Sequence, residues 1–316
     1  MDPQTAVRKF VTDDVTYGML SPEQSSQFLV QAFDVLEFSR LHRRETRSAK
    51  SGEIDKISVG ARLLRAKAEG PAADDGYRVA PAFGHVPYNC VRVKLPWEVS
   101  EEVFHDNIEG QPLEDKLMGM LTTQLGIDLE DLHWNSDTDT DPGHDDYDFL
   151  SLNDGWWKQI LAGGNVVDAA TVPGGAYISK AHFFAAKKAM PAKYLRTGRV
   201  RWIMNPTTRI AWVESVSDRA TGAGDLALLG AEAVEKPLGV PIVEVPSLAD
   251  GQVVLADPLN FIAVNTWDIR IRKAAEGKSA VMNDMRYYSI YLDDDPIIEE
   301  VGATVAIENM LIEPAE

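Results

Sequence analysis

The stretch "PLEDKLMGMLTTQLGIDLEDLHW", residues 112–134, places leucines at 113, 117, 121, 125 and 132. That spacing predicts one long helix with an apolar side. At ~1.5 Å per residue it would run for roughly 35 Å, so the rest of a domain has to be arranged along it.

The segment before it constrains the fold differently. "EIDKISVGARLLRAKAEG" (53–70) is strand-like and poor in large apolar residues, and "PAADDG" (71–76) reads as a turn. "NCVRVKLPWEV" (89–99) alternates, with Val91, Val93, Leu95, Trp97 and Val99 on one face. Together they predict a long two-stranded excursion. Such a hairpin buries too little surface to be stable alone. It needs a neighbour to lie on, in the same chain or in another.

Residues 1–20 show no period and read as an extended arm. Ser21, Pro22 and Gln24 have the spacing of a helix start, and Phe28, Leu29, Ala32, Phe33 and Leu36 form an apolar stripe. Arg40, Arg43, Arg44 and Arg47 would then close that helix, where cations offset its dipole. After residue 150 helical and strand patterns mix. Short helices are expected at "LSLNDGWWKQIL", after Ser179, and after Asn205 and Pro206. Strands are expected at "RVRWIMNP", "VPIVEVP", "GQVVLADP", "FIAVNTWDIRIRKA" and "MRYYSIYLDDDPIIEEVGATVAIENM". This irregular order fits an α+β fold. The length of 316 residues is enough for two domains.

The polar motifs carry little catalytic chemistry. In "HWNSDTDTDPGHDDYDFL" (133–150), Asp137, Asp139, Asp141 and Asp148 stand at positions 1, 3, 5 and 12 of a calcium-type loop. Pro142 occupies the place where that loop needs glycine, and Asp148 is shorter than the usual glutamate. The departures favour a solvated, turn-rich loop, with a bound cation as the alternative. His133 and His144, with Asp145 and Asp146, could in principle hold a hydrolytic metal, but no fixed ligand spacing supports it, and both histidines read as exposed. "GAGDLALLG" lacks the third glycine of a dinucleotide loop. There is no G-x-S-x-G. Cys90, the only cysteine, reads as a packing residue on a strand, and the seven tryptophans read as core and interface anchors. No pair of carboxylates stands out as an acid/base couple. The formal charge of −18 disfavours sequence-independent DNA binding. No apolar run reaches the ~18 residues of a membrane-spanning helix, and the start lacks the run of a signal peptide.

The order of elements resembles the major capsid protein of tailed bacteriophages. "LSPEQSSQFLVQAFDVLEFSRL" is similar to that family's arm helix, and "SGEIDKISVGARLLRAKAEG" to the start of its extended loop. "IDLEDLHWNSDTDT…DFLSLNDGWWKQI" resembles the end of its spine helix, a variable loop and the D-G-W helix. "MNPTTRIAWVESVSDRATGAGDLALLG…PLGVPIVEVPSL…VVLADPLNFIAVNTWDIRI" is similar to its axial domain.

The resemblance implies an N-terminal arm at 1–45 and an extended β-hairpin loop at 46–95. A peripheral domain would take 96–198 and 268–316, with the spine helix at 112–134, and an axial domain 199–267. It implies hexamers and pentamers that tile an icosahedral shell around double-stranded DNA, with no enzyme activity and no cofactor. Phe28, Phe33, Arg40, Arg43, Arg44, Lys56, Arg62 and Arg65 are then the candidates for contacts between subunits. Because the arm helix is reached by residue 21, no cleavable extension is expected, and assembly would use a separate scaffolding protein, or none. A portal and decoration proteins would be further partners, and the DNA would be enclosed without sequence-specific binding. The setting would be a virion capsid, assembled in the cytoplasm of a bacterial host. An encapsulin-like compartment and a metal-dependent hydrolase on the 137–148 loop are the alternatives.

Overall fold

The computed structural model describes residues 36–58, 82–100, 102, 111–195, 198–217, 236–266, 269–274 and 278–313. Its longest element is the expected helix, α2 (Gln111–Asn135), preceded by a short α1 (Glu37–Leu41). The buried side of α2 is made by Met118, Thr122, Leu125, Leu129 and Leu132. Leu117 and Leu121, expected at the centre of the apolar side, are only half-buried. The helix turns by ~100° per residue, so the line 118–122–125–129–132 is one face and the leucines at 117 and 121 lie on its margin.

The first sheet is built on β11 (Met285–Ile298), a strand of 14 residues. Along its first part β11 pairs with β4 (Val91–Ser100) on one side and β10 (Arg270–Ala274) on the other, both antiparallel. Its last part pairs antiparallel with β9 (Phe261–Thr266), and β1 (Arg43–Arg47) adds to β9 in parallel. The alternation read at Val91 to Val99 is present: these residues are half-buried, and Val93, Leu95 and Trp97 pack with Leu125, Leu129 and Ile290 under α2. Their partner differs from the expectation, however. The hairpin consists of β2 (Ser51–Ser58) and β3 (Ala82–Asn89), which form a two-stranded antiparallel sheet of their own. Residues 91–100 belong to the body, because their apolar face needs the large surface that α2 and β11 offer.

A second correction concerns the arginines. The helix near residue 40 ends at Leu41, so Arg43, Arg44 and Arg47 sit on strand β1 and do not close a helix. Ser21, Phe28, Phe33 and the "GAGDLALLG" loop lie outside the described residues.

The second sheet has the order β5–β12–β8–β6–β7, formed by β5 (Asn165–Asp168), β6 (Arg201–Met204), β7 (Ile242–Glu244), β8 (Val253–Ala256) and β12 (Val305–Glu308). Helices α3 (Tyr147–Leu150) and α4 (Trp156–Gly163) follow the aspartate-rich loop. Next come α5 (Lys180–Ala189), α6 (Ala192–Leu195), α7 (Pro206–Ser217) and α8 (Lys278–Asn283). Ser179 caps α5 in a capping box with His182, and Asn205 Oδ1 accepts the Thr208 N–H to cap α7. One side of the second sheet packs Trp202, Met204 and Leu255 on Phe183 and Trp212. The other side packs Ile203, Val254 and Ala306 on Trp156 and Ile160. No helix among the described residues is long and apolar enough to cross a membrane.

Candidate functional site

Strand β11 carries three consecutive aspartates. Alternation puts Asp293 and Asp294 on opposite faces of the strand, yet both are 0% exposed. They are buried because β11 is flanked on both sides here: Asp294 stands opposite Val91 of β4 and Asn265 of β9. Charges in such a place need partners, and each aspartate has its own. Asp293 accepts from Arg92 Nε at 2.8 Å and Nη2 at 3.0 Å, from Lys50 Nζ at 3.1 Å and from Thr266 Oγ1 at 3.0 Å. Burial pushes its pKa up, but these bonds outweigh burial and hold it below the usual carboxylate value. Asp294 accepts from His133 Nε2 at 2.8 Å and Asn265 Nδ2 at 2.7 Å. Asp295 is partly buried and accepts the Asn89 N–H at 2.7 Å. Burial, aided by the charge of Asp294, pushes its carboxyl up to about 7.

The triplet therefore ties together β4, β9, the end of α2, the end of β3 and the residue that precedes β2. His133, expected on an exposed loop, is in the last turn of α2 and 1% exposed. His144 is exposed as expected.

Above His133 lies an aromatic cluster. Phe38, Trp134, Trp156 and Phe261 are each 0% exposed, and Phe38 has its ring 5.1 Å from Trp134 and 5.7 Å from Trp156. Trp156 Nε1 donates to Ile297 O at 3.1 Å, so the ring is buried with its polar atom satisfied. The glycine of the "DGW" triplet is required here. A Cβ on Gly155 would stand 2.8 Å from Trp134 O and 2.9 Å from Ser136 N. Ser39 Oγ donates to Glu130 Oε1 at 3.2 Å, and burial pushes the Glu130 carboxyl up to about 7. His42 is buried against Phe38 and Trp156, and burial, followed by the nearness of His133, lowers its pKa to about 3.

The aspartate-rich loop is organised around a lysine. Lys158 Nζ lies 2.6 Å from Asp137, 2.7 Å from Asp139 and 2.8 Å from Asp154. The Lys158 hydrogen bond lowers the pKa of Asp137, and the three carboxylates outweigh burial to raise that of Lys158. Asp141 Oδ1 accepts the Gly143 N–H and so closes a turn, and Asp148 is exposed on α3. Among the described residues no three His, Cys, Asp or Glu side chains gather as a metal site. An apolar cavity of about 430 Å³ between α2 and β4 is lined by Val93, Leu95, Leu125, Leu129, Leu132 and Phe149.

Of the residues expected at contacts between subunits, the structure gathers two. Arg43 Nη1 lies 2.6 Å from Glu299 Oε2, and Lys56 Nζ donates to Glu299 O and to Glu300 Oε2, each at 3.2 Å. Arg40 is exposed on α1 and Arg44 half-buried on β1. Phe28, Phe33, Arg62 and Arg65 lie outside the described residues. The aspartate triplet and Glu130 were not singled out in the sequence. The available signal was the run "LDDDP" inside a strand pattern, polar residues where an uninterrupted apolar side was due.

No protein-family model matches the chain. A protein of Bacillus subtilis (strain 168) described as a prophage capsid protein, YqbE, is 30% identical over 267 residues, which are 80% of this chain and 82% of that one. The chain belongs to the capsid proteins of tailed phages. Its fold agrees. The capsid structure of the satellite phage P4 procapsid matches with a TM-score of 0.68 over 91% of both chains at 12% identity. The holo-SrpI encapsulin complex of Synechococcus elongatus PCC 7942 matches with a TM-score of 0.50 over 88% of both chains at 9% identity. The capsid protein is thus a structural component of a viral shell. The long helix, the aspartate triplet and the aromatic cluster are the framework from which its hairpin departs.

Proposed function

We propose that this capsid protein assembles as hexamers and pentamers into an icosahedral shell around phage double-stranded DNA. The observation that carries this reading is the β2–β3 hairpin. It is a sheet of two strands apart from both five-stranded sheets, and it presents Phe83 at 77% exposure. Its inner side, Ile54, Tyr88 and Cys90, packs on Ile262, Val264 and Ile297. Among the described residues its outer side meets no such surface, and a neighbouring subunit would supply one. Arg40, Arg44 and the arm before α1 would take part in the same contacts, along with Phe28, Phe33, Arg62 and Arg65. Arg43 and Lys56, whose charges meet Glu299 and Glu300 within the chain, would position the arm and hairpin for them.

The division into arm (1–45), extended loop (46–95), peripheral domain (96–198 and 268–316) and axial domain (199–267) describes the roles of these parts in the shell. Both sheets take strands from more than one part, so the parts share a core. The protein acts as a shell without catalysing a reaction. A separate scaffolding protein guides assembly in the host cytoplasm, with a portal and decoration proteins as further partners. The charge of −18 supports a wall that leaves packaged DNA mobile.

Electron microscopy of the purified protein tests this. Shells or capsomers are expected, and a monomer that never assembles would overturn the reading. The encapsulin match favours a second reading, a compartment for protein cargo. Particles that hold protein and no DNA would establish it.

A further inference from the structure

The first sheet is covered unevenly. The face of β11 turned to α2 carries Ile290 and Leu292. Alternation puts Tyr287, Ser289, Tyr291, Asp293 and Ile297 on the other face. The hairpin covers that second face at the Ile297 end, through Ile54, Tyr88 and Cys90. Nearer the start of β11 it lies open among the described residues. Lys94 and Arg272 are exposed there, and Arg270 and Tyr291 are half-buried.

The open part is basic and aromatic. Strand pairing sets Lys94, Tyr291 and Arg270 in one row across β4, β11 and β10. Arg272 lies over the Tyr291 ring, 5.8 Å from its centroid. Neither Lys94 nor Arg272 forms an ion pair among the described residues. Of the acids on this face, Asp293 is buried and compensated by Arg92 and Lys50, and Glu98 stands opposite Tyr287 at the far end. The chain as a whole carries a charge of −18, so a basic face runs against its composition. Arginine and tyrosine are also side chains that protein interfaces concentrate.

The complementary charge lies elsewhere on the same chain. Asp145 and Asp146, in the loop between α2 and α3, are exposed, as is Asp148 on α3. No cation pairs with these three among the described residues, because Lys158 is taken by Asp137, Asp139 and Asp154. Within the chain the cations of the sheet face and the carboxylates of the loop form no ion pair with one another.

We propose that the open face of the first sheet docks the loop 141–148 of a second copy of this chain, with Asp145 and Asp146 meeting Lys94 and Arg272. A nucleic-acid duplex is the poorer occupant, since its phosphates would also approach the acidic remainder of the chain. Face and loop are different patches, so the contact runs head to tail and each copy offers one of each. A head-to-tail contact whose rotation closes makes a ring. Its place within hexamers and pentamers rests on the shell reading above.

The test is sedimentation velocity of the full-length protein over a range of concentrations, with circular dichroism to check that each variant is folded. Lys94→Glu with Arg272→Glu should weaken self-association about tenfold or more, and so should Asp145→Lys with Asp146→Lys. The quadruple variant, with both sides reversed, should recover it. Unchanged association in either double variant, or no recovery in the quadruple one, overturns the contact. So does binding of a double-stranded DNA fragment that is lost with the face reversal and untouched by the loop reversal. If the face variant does not fold, carbodiimide coupling of mixed labelled and unlabelled wild-type protein decides. An amide between Lys94 of one copy and Asp145 or Asp146 of another is expected, and its absence overturns the contact. Electron microscopy of the same samples separates the two readings. Shells that form despite the reversals refute the contact and leave the capsid reading. Rescued oligomers that never close into shells do the reverse, and a wild type that stays monomeric overturns both.

Discussion

His133 Nε2 lies 2.8 Å from Asp294 Oδ2, and neither side chain is more than 1% exposed. This pair joins the end of the longest helix to the strand that organises the first sheet. Removing one partner of a buried pair leaves a bare charge and costs roughly 3–5 kcal/mol. His133→Leu is expected to lose stability on that scale in denaturant unfolding. His133→Leu combined with Asp294→Asn should lose less, because Asn265 can still be satisfied and no charge is stranded. A larger loss in the double variant would show that the pair is not what holds the helix end.

The face of α2 that meets the sheet is set by Leu129, at 2% exposure, and not by Leu117. Leu129→Ala should cost roughly 2–5 kcal/mol, as for a cavity in a packed core. Leu117→Ala should cost about 1 kcal/mol, in proportion to the smaller area it hides. Thermal unfolding of the two variants side by side checks the order.

Gly155→Ala should destabilise the chain by about 1–3 kcal/mol, since the backbone around Trp134 and Ser136 has to move to admit a methyl group. Near-ultraviolet circular dichroism would report it directly, because Trp134 and Trp156 meet beside this glycine with rings 5.3 Å apart. An unchanged spectrum and melting point would contradict the close approach.

Lys158 fills the centre of three carboxylates. These are surface ion pairs, so Lys158→Met should change stability by no more than about 1 kcal/mol. Its second effect is the informative one. Asp137, Asp139 and Asp154 would then face one another without a cation, and the variant should bind calcium with a dissociation constant of about 0.1–1 mM. Titration calorimetry on both proteins measures this, with no comparable heat expected from the wild type.

Glu130 is 1% exposed, and its Oε2 has no hydrogen-bond partner among the described residues. Its carboxyl is raised from 4.5 to about 7. The folded chain then keeps a proton that the unfolded chain has released, so this contribution to stability is full below pH 4.5 and is lost as the pH rises through about 7. Glu130→Gln should be more stable than wild type by about 1–3 kcal/mol at pH 8, and the gain should vanish near pH 4.5. His42 acts in the opposite sense. Its pKa is lowered to about 3, so its contribution is lost as the pH falls below 6.5, equally in both proteins. The difference between variant and wild type therefore isolates Glu130.

Local pattern was sufficient for much of the chain. The long helix, the caps at Ser179 and Asn205 and the strands at 201–204, 253–256 and 261–266 are each dictated by neighbours within a few positions. The capsid resemblance rested on the same elements in order, and the 30% identity to YqbE supports it. The loop at 133–150 was legible as a polar connection, but its lysine was not, since Lys158 lies on the helix after it.

What the sequence alone determined is most of the elements, the α+β class and the family, because helix periods, strand alternation and turn residues act over short distances. Only the tertiary structure decided which strand joins which. β4 alternates equally well for a hairpin or for a body sheet, and the apolar face of α2 settles it. Only the tertiary structure decided, too, that Asp293, Asp294, His133 and Glu130 are buried. Their burial depends on β4, β9 and α1 arriving from distant parts of the chain, and a charge is stable there only because partners from those same parts arrive with it.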